Sequence, residues 1–467
     1  MSDNLSMLDS LPHEILTNVF VRLPIKSIVT CTAVCKTWKS LIQNPTFISN
    51  HLHHSSNNNN NKHPLLLFRH CSLENEHYVL HFDNQDFNEY TRFDDFPFQG
   101  QSYDGIFLVV GTCNGLIFLA DDLYGHHKFF LWNPCVRKFV KLPKPNITCF
   151  SHDAFDASVG FGFDSKTDDY KVVRLVTLEE KGQEGKSPPE VEVYSLSTGK
   201  WRMLTASPPI GAARGRKPEA FVNGALHWVA LTKTGNKFLN FVMVFDLGEE
   251  VFREIALPKL SGQNGDEYWV SVSISAYGNS LALFQQGFSI NRLRIWVMKD
   301  YADASSWTKI ISLSDLVFIE GIPRSCIPKG FRKSGEVILE MYGGYLGSRD
   351  LKTKEFKDLR IRGYAYTFVD SYVESLVLLD KPNQQRKRQK RKRNNNRQDK
   401  FYCQAYFYGF PFCSSYIPSF DYEKQICGPM LYKIHRFRFF LRCKTQNRSW
   451  SKLSKHRKGS NLGGRNS

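Results

Sequence analysis

Residues 130–143 read FLWNPCVRKFVKLP. An apolar run ends on a turn residue, Asn133, a short polar stretch follows, and six residues later an aromatic, Phe139, opens the next apolar run. That is the pattern of a strand, a tight turn and a second strand. It recurs in HFDNQDFNEYTRF (81–93), EVYSLSTGKWRML (192–204), MVFDLGEEVFREIALP (243–258), WVMKDYADASSWTKI (296–310) and LGSRDLKTKEFKDLRI (346–361). The turn residues Asp83, Asn133, Ser195, Asp246, Asp300 and Asp350 are spaced 50, 62, 51, 54 and 50 apart. Phe139, Trp201, Phe252 and Phe356 follow at six residues, Tyr90 and Trp307 at seven.

A second hairpin signal interleaves with the first. Small turn residues precede a strand in CNGLIFLA (113–120), VNGALHWVA (222–230), YGNSLALF (277–284) and KSGEVILEM (333–341), and VGFGFDSKTDDYKVVRLV (159–176) fills the missing place as a degenerate hairpin. The polar insertion Glu179–Pro189 accounts for the long interval. Two hairpins per 50-odd residues make a four-stranded unit, and such units at that period predict a β-propeller of about six blades spanning 65–380. Ring closure buries the faces and protects the edges that a lone sheet exposes. A stacked pair of β-sandwiches is the competing mainly β arrangement. The run Tyr372–Asp380, YVESLVLLD, is expected as the last strand.

Ahead of the repeats stands Ser10–Ile48, SLPHEILTNVFVRLPIKSIVTCTAVCKTWKSLIQNPTFI, which predicts three short helices. Pro12 suits a first helical position, and Leu11, Ile15, Leu16, Val19, Phe20 and Leu23 recur at steps of three and four. Leu23-Pro24 ends that helix; Ile28 and Val29 belong to a second; Val34, Trp38, Leu41 and Ile42 line a third, stopped by Asn44-Pro45. About 40 residues bury too little surface to be comfortably stable alone, and the apolar positions exceed one small core. A helical surface that docks on another protein is the implication.

The pieces Leu11-Pro12-x-Glu14-Ile15, Arg22-Leu23-Pro24-x-Lys26-Ser27, Val34-Cys35-Lys36-x-Trp38 and Leu41-Ile42-x-x-Pro45-x-Phe47 resemble an F-box. The resemblance implies docking on the Skp-type adaptor of a cullin-based SCF ubiquitin ligase, through Leu11, Pro12, Ile15, Leu16, Leu23, Pro24, Ile28, Val34 and Trp38. Cys113-Asn114-Gly115-Leu116, Trp132-Asn133-Pro134, Gly160-Phe161-Gly162-Phe163-Asp164, Asp169-Tyr170-Lys171-Val172-Val173, Trp201-Arg202 and Val222-Asn223-Gly224-x-x-His227-Trp228 resemble the F-box-associated interaction domain of a large plant F-box family. That likeness implies capture of a protein substrate by propeller loops, with no catalytic residues and no cofactor. The expected layout is an F-box at 8–50, a polar linker at 51–64 (HLHHSSNNNNNKHP), the propeller at 65–380 and a basic, unfolded tail at 381–467.

The whole chain of 467 residues has a net charge of +17, but residues 381–467 alone hold 22 Lys/Arg against 3 Asp/Glu, so the body is nearly neutral. QQRKRQKRKRNNNRQDK (384–400) is too densely like-charged to fold and suits nuclear import or RNA contact. No apolar leader or membrane-length run is present, so a nuclear or cytoplasmic, non-secreted protein is expected. The 11 cysteines are an odd, scattered number without CxxC spacing, which predicts reduced thiols and no metal site; Cys31 and Cys35, one helical turn apart, have no second pair or histidine to complete one. Gly182-x-x-Gly185-Lys186-Ser187 imitates a phosphate-binding loop, yet has two residues between the glycines and prolines where the helix should start. For substrate contact the loop SPPIGAARGRK (207–217) offers Arg214, Arg216 and Lys217 as directional donors to an acidic partner; a merely solvated loop is the plain alternative. Two rival functions remain: a propeller enzyme with an F-box-like cap, and a nucleic-acid-binding protein driven by the basic tail.

Overall fold

The computed structural model describes residues 12–381 apart from 58–63, 73–74, 94–96, 98–106, 122–127, 149–154, 179–188, 210–211, 214–219, 235–236, 261–270, 287–292, 314–317, 320–321, 324–325, 342–343 and 365. Among the described residues six antiparallel sheets of four or five strands follow one another along the chain, with a two-stranded ribbon, Phe318–Ile319 and Ile322–Pro323, between the fifth and the sixth. From inner to outer strand, blade 1 is Phe368–Tyr372, Leu65–Ser72, Asn75–Phe82 and Glu89–Phe93. Blade 2 is Leu108–Cys113, Leu116–Asp121, Lys128–Asn133 and Lys138–Lys141; blade 3 is Phe155–Asp164, Asp169–Leu178, Glu190–Ser195 and Lys200–Leu204. Blade 4 begins with two short pieces, Ala212–Ala213 and Ala220–Val222, both paired to Ala225–Thr234, and continues with Lys237–Asp246 and Val251–Ala256. Blade 5 is Ser271–Tyr277, Ser280–Gln286, Leu293–Met298 and Trp307–Leu313; blade 6 is Ile327–Phe331, Val337–Glu340, Tyr345–Arg349 and Phe356–Arg362.

The repeat read from the sequence maps onto this architecture. Every one of the six turn residues lies at or beside the turn between the third and fourth strands of its blade, and the aromatic that follows lies in the fourth strand. The Asn-Gly and related pairs make the turn between the first and second strands. Asn114 (φ 48°) with Gly115 (φ 78°), and Asn223 (φ 51°) with Gly224 (φ 74°), have the two positive φ values of the hairpin turn that Asn-Gly favours.

Closure differs from expectation. Residues 373–380 are not a strand; the last strand is Phe368–Tyr372, and it pairs with the first, Tyr372 opposite Leu65 and Phe368 opposite Arg69. Blade 1 therefore takes its innermost strand from the far end of the propeller sequence, which leaves no blade edge open at the join. Seams between blades combine apolar layers with polar ties. Trp201 Nε1 donates to the carbonyl of Pro143 (2.9 Å), Trp228 Nε1 to Ser158 Oγ (2.8 Å) and Trp307 Nε1 to the carbonyl of Ala256 (3.1 Å). At the join, Arg332 Nε meets Asp83 Oδ1 at 2.7 Å.

Among the described residues the N-terminal region has four helices, not three: α1 (His13–Phe20), α2 (Ile25–Cys31), α3 (Lys36–Ile42) and α4 (Pro45–Asn57). Pro45 stops α3 as predicted and also supplies the first residue of α4, where its missing N–H is harmless. Asn44 Oδ1 accepts the N–H of Thr46 at 2.8 Å at that helix start. Residues 51–57, expected in a linker, continue α4, because Phe47, Ile48 and His51 bury one face of an otherwise polar helix.

Candidate docking surface

The helices pack around Leu16, Phe20, Ile25, Ile28, Trp38, Leu41, Ile42, Phe47 and Ile48, with Phe20 and Trp38 edge to face at 4.9 Å. This core is not closed on itself. It runs on into Val136, Leu142 and Leu376–Leu379 of the propeller body. Gln43 Nε2 donates to the carbonyl of Leu379 at 3.2 Å, Lys138 Nζ to the carbonyl of Lys381 at 2.8 Å, and the Lys26 amine stands 5.8 Å from the Tyr90 ring. Burial is the main influence lowering the Lys138 pKa; Asp380 opposes the shift and Lys39 adds to it. The surplus apolar surface read from the sequence is thus partly taken up by the ring.

The face of the ring under the helices carries both the turn between strands one and two and that between strands three and four of blade 2, and the turn between strands three and four of blade 1. Two groups of its wall hold their protons more tightly than usual. Burial, followed by Glu374, pushes the Cys135 thiol up to about 12, and the same two causes raise the Tyr90 hydroxyl to about 12. Tyr90 donates to Glu374 Oε2 at 3.2 Å and Tyr372 to the carbonyl of Gly115 at 2.9 Å. Among the described residues no cluster of three or more His, Cys, Asp or Glu could hold a metal ion, and no helix is long and apolar enough to cross a membrane.

What the helices leave outside is specific. Ile15, Val19 and Val34 are 47, 48 and 43% exposed, and Pro12 and Pro24, which precede α1 and α2, are exposed as well. The same helices carry the exposed cations Arg22, Lys26, Lys36 and Lys39, with Glu14 the sole acid among residues 12–57. The residues marked out for docking therefore divide. Pro12, Ile15, Pro24 and Val34 are on the surface; Leu23 is half-buried against the core; Leu16, Ile28 and Trp38 are buried within it; Leu11 lies outside the described residues. Val19 is exposed on the same helix as Ile15, although periodicity places it only on the apolar face. Arg214, Arg216, Lys217 and nearly all of the insertion Glu179–Pro189 lie outside the described residues too. The strand ends flanking them, at Leu178, Glu190 and Ala213, emerge at the face opposite the helices.

Comparison with known proteins meets this layout. The model of the F-box associated beta propeller domain matches residues 74–420, and the F-box-like model matches residues 8–54. The chain belongs to the F-box associated β-propeller family. Its family relatives in Arabidopsis thaliana include the F-box protein At3g07870, 28% identical over 76% of this chain and 88% of that one. The F-box protein CPR1 is 26% identical over 79% of this chain and 89% of that one, and the F-box/kelch-repeat protein At3g23880 is 26% identical over 66% and 80%. In this member of the family the F-box-like match ends three residues before α4 does, and residues 55–73 separate the two matched regions.

Proposed function

We propose that this chain is the substrate receptor of an SCF-type cullin E3 ubiquitin ligase, with the F-box helices docking on a Skp-type adaptor and the far face of the propeller capturing a protein substrate. The observation that carries the reading is the division of the helical surface: the inward face is committed to the ring, while Ile15, Val19 and Val34 remain exposed. Exposed apolar residues on helices that carry an excess of cations fit a partner with an apolar cleft and acidic borders. The ring brings no chemistry of its own to this function. It acts by holding a substrate near the ubiquitin-charged enzyme, which raises the effective concentration of acceptor lysines. The chain works in the nucleus or the cytoplasm, with the basic stretch 384–400 as an import signal.

The test is co-purification of the full chain with a Skp-type adaptor. Ile15→Asp with Val34→Asp places two carboxylates in the contact and should cost at least about tenfold in affinity, since an unpaired buried charge is strongly disfavoured. Both sites are exposed in the free protein, so its circular dichroism should not change. Undiminished adaptor binding by the double variant would overturn the reading.

A further inference from the structure

After the closing strand the chain turns back across blade 2 towards the helices. Ser375 Oγ donates to the carbonyl of Asn114 (2.6 Å), and Asn133 Nδ2 donates to the carbonyls of Ser375 (3.0 Å) and Val377 (2.9 Å). Ser375 and Leu376 are fully buried. Leu376–Leu379 join the helical core, and the carbonyls of Leu379 and Lys381 accept from Gln43 and Lys138. The segment 373–381 is therefore fixed at one end to the strand that closes the ring and at the other both to the end of α3, through Gln43, and to blade 2, through Lys138.

We infer that residues 373–381 form a clamp that couples the seating of the F-box helices to closure of the propeller. A tether of under ten residues, fixed at both ends, cannot let go of Gln43 and the helical core without loosening its hold on Asn114 and Asn133. The Asn114 turn of blade 2 also holds the closing strand, where Tyr372 donates to the carbonyl of Gly115 (2.9 Å) and Thr112 Oγ1 to Asp370 Oδ2 (2.7 Å). Packing alone would hold the helices to the ring without making the two openings cooperative. The consequence for ubiquitin transfer rests on the function proposed above: Gln43, Asn133, Ser375 and Leu379 are positioning residues, which fix the adaptor-facing helices in angle and distance relative to the far face of the ring.

Hydrogen exchange followed by mass spectrometry on the full chain tests the coupling without any partner. Gln43→Ala removes one bond at the helical end and should speed exchange about fivefold both in α1–α4 and in the paired strands Phe368–Tyr372 and Leu65–Ser72, leaving blades 4 and 5 unchanged. Leu379→Ala should do the same more strongly; if that protein does not fold, Gln43→Ala decides alone. Faster exchange confined to the helices, or no change, overturns the clamp.

A second arm reads position. In a reconstituted ligase, Gln43→Ala should keep its adaptor affinity while self-modification spreads over more propeller lysines than in the parent chain. An unchanged lysine pattern beside accelerated exchange overturns the positioning role. Absence of modification and of adaptor binding in both proteins overturns the proposed function, and the exchange result then stands by itself.

Discussion

Arg174 and Glu192 lie 2.7 Å apart in blade 3, and neither is exposed to solvent. Glu192 also accepts the N–H of Asn146 at 2.6 Å, and Arg174 donates to the carbonyl of Ile147 at 2.8 Å, so the pair pins the connection between blades 2 and 3. Removing Glu192 leaves the Arg174 guanidinium charged and buried without that counter-ion. Glu192→Ala should destabilise the propeller by about 3–5 kcal/mol. Urea unfolding of parent and variant measures this, and a loss below about 1 kcal/mol would show that solvent reaches Arg174.

Stability should fall in mild acid through His227. Its ring is fully buried and its Nε2 lies 2.9 Å from the Tyr301 hydroxyl. Burial lowers its pKa from 6.5 to about 4, partly offset by the carbonyls of Ala220 and Ala225. The unfolded chain then binds this proton more readily than the folded one. The stabilisation is complete above pH 6.5 and is lost as the pH falls from there towards 4, by up to about 3 kcal/mol. His70, lowered to about 4 by burial and then by His77, adds to the same loss. His227→Gln should make the fall between pH 7.5 and 5 shallower in chemical denaturation. Parallel curves for the two proteins would remove His227 from the account.

The blade pattern was legible because each turn is local. Asp246 and Asp350 give away their turns through residues two and three positions on, whose N–H groups they accept. Closure was not legible, since the pairing of Leu65 with Tyr372 spans almost the whole propeller and leaves no local mark. The helical nature of 51–57 was hidden for a related reason. HLHHSSN carries little propensity of its own, and it is helical because Phe47, Ile48 and His51 meet a core that only the fold assembles. The docking residues were half legible. Periodicity finds the apolar positions of α1–α3, but it cannot say which of them the ring will cover.

Cys35 occupies the N-cap of α3, with extended backbone and its Sγ accepting the N–H of Trp38 at 3.4 Å. Sulfur is a weak acceptor, and a hydroxyl in that place is a better cap. Cys35→Ser should therefore be more stable than Cys35→Ala by about 1 kcal/mol, both having lost the same sulfur contacts. Calorimetric melting of the two variants makes the comparison. Equal melting temperatures would mean that Cys35 acts at the helix start only by packing.

The two Asn-Gly turns offer a measurement of the contact between blade 2 and the segment that crosses it. Gly115 and Gly224 hold the same turn position, with φ of 78° and 74°. A side chain at either residue meets the same backbone penalty, about 1 kcal/mol for a non-glycine residue in that region. Their surroundings differ. A Cβ at Gly224 has nothing within 4 Å, whereas a Cβ at Gly115 would come within 2.5 Å of Ser375 Oγ and 2.8 Å of the Val373 carbonyl. The Val373 carbonyl is main chain beside the closing strand, and Ser375 is already bonded to Asn114, so neither yields without moving the segment. Gly224→Ala should cost the backbone penalty alone. Gly115→Ala should cost a further 1–3 kcal/mol or so, as overpacking at fixed backbone does. Urea titrations of both variants isolate the difference. Equal costs would mean that Val373–Ser375 moves aside freely, and that the ring closes without the help of the residues that follow its last strand.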